Sequence, residues 1–443
     1  MFIMPLAMLS IVATIILMNV LPYKGWNIII VSFICAIIVA LCNALPLQAA
    51  TGILTGGVGA MLGTLIGLFV FGAILGEIYN ASNASFTLAR AIVAPFKNAK
   101  SSVVRLIGTI VLLLIVRAVL GIAGFNNIAI MPLMISIIVM VFNACDIPRK
   151  YVNCALLIAG EIQILVPGVP STELVLVEEY LDGFTRTSCF GIRLAILIVY
   201  IVAAALILGH LIRKDREKGL HFEPGRMMVP DIHTDVRRPH LILTLIPLAV
   251  IFVLYTILGM DAWVVMLISC AVALLCLGWY IPKREGESKY RTLLNCVNGG
   301  AFKLPLAICG CMFYGMVLTA TPGWEIIQGA LSNLPIPPAI LFTVASIILV
   351  FAGGTQGMIP VMATLALSVC IPNGMSVGIC GVIMIMSFVC LDTVPNNIGL
   401  IMQCELTDTT IKETYPSVFR TTVLLTLGMT AIVMLLAMFG VFA

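Results

Sequence analysis

Residues 376–404 read SVGICGVIMIMSFVCLDTVPNNIGLIMQC. The run is apolar almost throughout and exceeds the roughly 20 residues that carry an α-helix across a bilayer. It is interrupted once, by Asp392-Thr393-Val394-Pro395-Asn396-Asn397. In hydrocarbon every backbone N–H and C=O needs a partner, so a broken helix is tolerated only where it lines a polar cavity or binds something. This stretch therefore predicts a membrane helix that breaks inside the bilayer at a functional place.

The same signature recurs outward from it. Gly353-Gly354-Thr355-Gln356-Gly357 precedes it. In the N-terminal part, Gly121-Ile122-Ala123-Gly124-Phe125-Asn126-Asn127 is followed by Pro167-Gly168-Val169-Pro170-Ser171-Thr172. Gly124 and Pro167 lie 43 residues apart, and Gly353 and Pro395 lie 42 apart. Two matched pairs of breaks outweigh the simpler reading of each as a proline kink or a packing glycine. Interrupted helices at corresponding positions of two repeats are the best sequence pointer to a transporter's binding site.

Composition agrees. Of 443 residues, 61% are hydrophobic and only 10% charged, and the mean hydropathy is +1.16. Soluble domains carry about 25% charged residues. The small net charge of +4 gives no argument for nucleic acid. Fourteen apolar runs, the first at 2–21 and the last at 421–442, read as spans. The first lacks the basic start and small-residue end of a cleaved signal peptide. With the N-terminus outside, alternation puts 19 of the 24 Lys and Arg in inside loops and only Arg186 in an outside loop, 173–186. That is the positive-inside pattern. The unit 103–172 then starts inside and the unit 338–404 starts outside, as an inverted repeat requires.

The expected fold is an all-α membrane protein. It has about 12–14 transmembrane helices in two inverted-topology halves, with broken helices or hairpins near the bilayer centre. Residues 1–212 form the N-terminal half, 213–240 a cytoplasmic linker and 241–443 the C-terminal half. The linker's His221, His233 and His240 lack metal-ligand spacing, and the fourteen cysteines read as buried apolar thiols. Neither a metal nor a cofactor is expected.

Five ionisable residues draw notice within apolar runs: Glu77, Arg117, Glu161, Lys303 and Asp392. Each is costly in lipid and should face the interior. Asp392 is the first candidate for carrying a coupling proton and Glu161 the second. Alternatively, the Asp392 carboxylate caps freed backbone N–H groups. Candidate substrate-binding residues are Asn126, Asn127, Gly168, Ser171 and Thr172 in the first unit. In the second they are Gly354, Thr355, Gln356, Thr393, Asn396 and Asn397. Neutral amides, hydroxyls and helix N-termini suit an anion.

The stretch 388–397 resembles the C-terminal motif of the gluconate permease family, usually GGLDSLPHNG. Leu406-Thr407-Asp408, Lys412-Glu413-Thr414-Tyr415 and Gly72-Ala73-Ile74-Leu75-Gly76 are similar to further segments of that family. Asp146-Ile147-Pro148-Arg149, Pro167-Gly168-Val169-Pro170 and Tyr180-Leu181 resemble one of its branches. The resemblance spans nearly the whole chain. It implies a multi-pass bacterial inner-membrane symporter for a small organic anion, a gluconate-like sugar acid or another carboxylate. Coupling would be to protons, or to sodium in their place, and a homodimer is compatible with it. Asp392 and Asn397 fall on the family's aspartate and asparagine, while Asn396 replaces its histidine. The alternatives are a cation-coupled exchanger or a channel. An intramembrane enzyme is disfavoured: no GxSG is present, and Asp392 has no second aspartate at depth.

Overall fold

The computed structural model describes residues 3–24, 26–96, 102–122, 131–168, 171–223, 237–281, 303–353, 355–391, 393, 400, 403–404, 407 and 409–439. These residues are helical throughout their regular structure, with no strand among them. The N-terminal part contains α1 (Ile3–Tyr23), α2 (Ile28–Cys42), α3 (Leu47–Gly52), α4 (Gly59–Ala81) and α5 (Ala84–Val93). The first broken unit follows as α6 (Ser102–Ile122), α7 (Met131–Ala144), α8 (Val152–Leu165) and α9 (Thr172–Tyr180), and then α10 (Phe190–Arg216). The second part opens with α11 (Leu241–Phe252), α12 (Ala262–Leu277), α13 (Lys303–Thr319) and α14 (Pro322–Ser332). Its broken unit holds α15 (Pro338–Gly353), α16 (Thr355–Leu365) and α17 (Val377–Leu391), and the chain closes with α18 (Ile411–Val418) and α19 (Leu425–Met438).

Three helical stretches among the described residues are long and apolar enough to cross a membrane: Phe190–Arg216, Trp263–Tyr280 and Ile411–Met438. Shorter apolar helices make up most of the rest. Large hydrophobic side chains stand exposed on the outward sides of α1, α2, α10 and α19, among them Leu9, Leu41, Ile198 and Ile432. That surface suits lipid rather than water.

The two sequence halves interleave. α2 packs on α13, α4 on α12, and α1 on α14. The packing has a recurring pattern. α1 lies on α2 as α11 lies on α12; α2 lies on α13 as α12 lies on α4. Likewise α6 lies on α8 as α15 lies on α17, and α8 lies on α10 as α17 lies on α19. Small residues permit the closest approaches. A Cβ on Gly67 of α4 would come within 2.9 Å of Trp263 Cβ on α12, and one on Gly315 of α13 would overlap the Gly357 carbonyl oxygen of α16.

Contacts between the helix ends follow the alternation read from the basic residues. On the side assigned inside, Asn83 donates to the Arg237 carbonyl at 3.1 Å and Thr87 to the Pro239 carbonyl at 3.0 Å. There too, Asp146 meets His221, and Arg149 donates to the Thr407 carbonyl. On the opposite side Asn43 accepts from the Gly323 N–H, and the stretch 183–189 packs against 377–381.

One expectation needs correction. The stretch 173–186, expected as an outside loop, is largely α9, with Leu174, Leu176 and Val177 buried. Its acidic residues Glu173, Glu178 and Glu179 mask an apolar side that packs on α16.

Candidate functional site

The first break is fully formed. Pro167 disfavours a helical conformation at the residue before it. Val166 accordingly leaves α8 with φ −61° and ψ 121°. Gly168 follows at φ +81°, a backbone region open to glycine and strained for most side chains. α9 restarts at Thr172 behind Ser171, whose Oγ accepts from the Leu174 N–H at 3.2 Å as an N-cap.

The segment 181–189 straps this break. The Arg186 carbonyl accepts from the Gly168 N–H at 2.9 Å and from Arg193 Nη1 at 2.6 Å. The Arg186 side chain pairs with Glu178 at 2.5 Å and donates to the Tyr255 hydroxyl, over whose ring it also lies. Two residues earlier, the Phe184 ring fills the space a side chain would need at Gly381 of α17. The strap thus ties the first break to both α17 and the α11–α12 region. It also sits at the outer end of the bundle under the alternation above. The first break accordingly lies toward that end rather than at the bilayer centre.

Arg193 was not among the intramembrane charges singled out by sequence, because it stands only three residues into its apolar run. It is 1% exposed. Besides the Arg186 carbonyl, its guanidinium holds the Val166 carbonyl at 3.2 Å, one of the acceptors freed where α8 ends.

The second unit is built differently. α15 ends at Gly353 and α16 begins at Thr355, which is buried. The first turn of α16 is pressed onto α13, where Gly357 approaches the Cys311 Cβ. Beyond α17, Thr393 is buried and shares a 2.6 Å hydrogen bond with the Thr422 hydroxyl. Thr422 lies in a π turn, Phe419–Leu424, between α18 and α19. Such turns are rare and concentrate at functional sites. In the same turn Thr421 meets Cys154 of α8 at 3.1 Å. Thr414, Ser417, Thr421, Thr422, Thr426 and Thr430 are all buried. Apart from Thr414, they donate to carbonyls three or four residues back, as Ser and Thr do in membrane helices. Their spacing was readable in the sequence, but nothing there showed that they face α8 and α17.

Glu161, one turn before the first break, is buried on α8. It lies within electrostatic reach of Tyr200 on α10 and Cys390 on α17, two residues before Asp392. α8 packs on α17, and α9 on α16. The structure thus brings together Glu161, Gly168 and Ser171 of the first unit with the helices carrying Thr355 and Thr393. Asn126, Asn127, Gly354, Asp392, Asn396 and Asn397 lie outside the described residues. So do the side chains of Thr172, Gln356, Arg117 and Lys303. Glu77 is half-buried near the end of α4.

At the inner side two latches hold the ends of the first unit. Asn153 Nδ2 donates to Thr409 at 2.7 Å, and its Oδ1 accepts from Thr407 at 2.8 Å, joining α8 to the chain beyond the second break. Asp146 accepts from the Phe222 N–H at 3.0 Å and meets His221 Nδ1 at 2.8 Å. Partial burial works upward on the Asp146 carboxyl. The bonds from His221 and Phe222 and the nearby Arg216 charge outweigh it and hold the group below its ordinary value. Two of the linker histidines thus have structural partners: His221 binds Asp146, and His240 caps α11 through the Ile242 N–H.

The chain matches no protein-family model, and none of the curated proteins matches it.

Proposed function

We propose that this protein is a secondary transporter that carries a small organic anion across a membrane together with protons. The observation that carries the reading is the recurrence of packing partners around broken helices. Counting the fourteen apolar runs, each helix pair maps onto another by a shift of seven. An odd shift reverses the direction of every span. The two units would therefore be inverted repeats, with their breaks facing one interior, and such repeats give a site reachable from either side by rocking one body against the other. The resemblance to gluconate permeases, the hydroxyl-rich second unit and the helix N-termini at Thr172 and Thr355 support an anion as cargo.

Asp392 and Glu161 would carry the coupling proton. A carboxyl near the site repels an anion when charged and admits it when protonated, so proton and anion favour each other's binding by the same factor. A bacterial inner membrane is the setting the family resemblance implies. The test is uptake of labelled sugar acids, hydroxyacids and short carboxylates into proteoliposomes holding the purified protein, with and without an inward proton gradient. The reading expects saturable uptake of at least one acid, accelerated by the gradient. Uptake of none of them, or ion conductance without any of them, would overturn it.

A further inference from the structure

Arg193 is a buried cation without a counter-charge. Its guanidinium holds two backbone carbonyls, of Val166 and Arg186, and its Nε–H has no hydrogen-bond partner. No carboxylate pairs with it among the described residues, and the ionisable group within its electrostatic reach is the Cys189 thiol. A buried charge is costly unless it is paired and hydrogen-bonded. Carbonyl dipoles meet part of that need and leave the net positive charge in place. A helix end needs no guanidinium to cap it, since neutral donors or a glycine serve at most helix C-termini. The same few residues also present the N-terminus of α9, led by Ser171, whose free N–H groups favour a negative ligand. Cation, helix N-terminus and the Gly168 backbone converge on one side of the break.

We infer that Arg193 is the anion-recognising residue of the first break and that its ligand is a carboxylate, taken at the free Nε–H between Val166 and Ser171. The inference rests on the transport reading above and specifies which end of the cargo the first unit holds. A guanidinium selects a carboxylate by charge and by its planar fork, and it stays protonated throughout the working pH range. It would therefore bind the anion without being the proton carrier, leaving that role to a carboxyl.

The test compares binding of radiolabelled D-gluconate, lactate and acetate to the full-length protein in lipid nanodiscs, with glucose and glycerol as neutral counterparts. Arg193→Gln should weaken acid binding by about 30-fold or more, the effect of truncating one partner of a buried charge pair. Because that variant removes two carbonyl contacts, a second pair of variants decides the matter if it fails to fold. Cys189 lies four residues before Arg193, on the same side of the helix, and its backbone sits at φ +53°, where Asp and Asn are well tolerated. Cys189→Asp would supply an internal carboxylate that competes with the ligand. It should lower acid affinity about 10-fold, whereas Cys189→Asn should leave it unchanged. Equal acid binding by the Asp and Asn variants would overturn the role of Arg193 and leave the transport reading standing. A wild-type protein that binds none of the acids, or binds glucose and glycerol equally well, would overturn both.

Discussion

The first break and the second unit solve the same problem with different chemistry. At 166–171 the freed backbone is held by a buried guanidinium and by the strap through Arg186. Around Thr355 and Thr393 the described side chains are hydroxyls, and the one printed bond at Thr393 is to another hydroxyl, that of Thr422. A cation on one side and hydroxyls on the other suit a ligand with two unlike ends, a carboxylate and a hydroxyl-bearing tail. Under the transport reading the cargo would enter with a fixed orientation. The second unit would then discriminate among acids while the first accepts them all.

The largest effect should come from the seat of the second unit. A Cβ at Gly315 meets the Gly357 backbone, which cannot rotate away as a side chain can. Gly315→Ala should cost about 1–3 kcal/mol through overpacking and move α16 off α13. A lowered thermal midpoint in detergent, with uptake lost in parallel, is the expected result. An unchanged midpoint would show that this contact does not position the break. Next comes Gly168→Ala, which places a side chain at positive φ and should cost about 1 kcal/mol. It should depress acid binding more than folding. Equal binding would mean that the first break tolerates another backbone path.

How much of this was legible beforehand differs by element. The helical class followed from continuous apolar runs, and the breaks at 166–171 and 353–355 fell where Pro167-Gly168 and Gly353-Gly354 stood. α9 was missed because Glu173, Glu178 and Glu179 conceal Leu174, Leu176 and Val177. Arg193 was missed because an arginine near the start of a run reads as one that reaches the interface. The pairings of α2 with α13 and of α4 with α12 join residues far apart in the chain, and no periodicity in either helix encodes its partner. The π turn at Phe419–Leu424 depends on a local mismatch of hydrogen bonds that composition does not reveal.

A smaller effect is expected at the hydroxyl pair. Thr422→Val removes one partner of Thr393 and keeps the shape, at a cost of about 1 kcal/mol, and Thr422→Ser should restore most of it. If the second unit reads the cargo's hydroxyls, the Val variant should change selectivity between gluconate and acetate more than it changes acetate binding alone. Competition uptake measures this directly. The smallest effect lies at Asp146. Its carboxyl is held below the ordinary value in the folded protein, so its contribution is present at neutral pH and is lost as pH falls through that lowered value. Protection of the Phe222 amide from hydrogen exchange, corrected for intrinsic rates, should decline on acidification. In Asp146→Asn, which keeps an acceptor and tolerates φ +53°, the protection should vary little with pH.

The central claim is coupled transport of an anion, with a carboxyl as proton carrier. It is tested most directly by comparing concentrative uptake with exchange in proteoliposomes containing wild type or Asp392→Asn. The account predicts that the Asn variant no longer accumulates acid on a proton gradient yet still exchanges labelled for unlabelled acid. An Asn variant that accumulates acid as well as wild type would contradict Asp392 as the coupling group and leave it as a helix cap. If Glu161→Gln also accumulated acid normally, proton coupling through these carboxyls would be wrong.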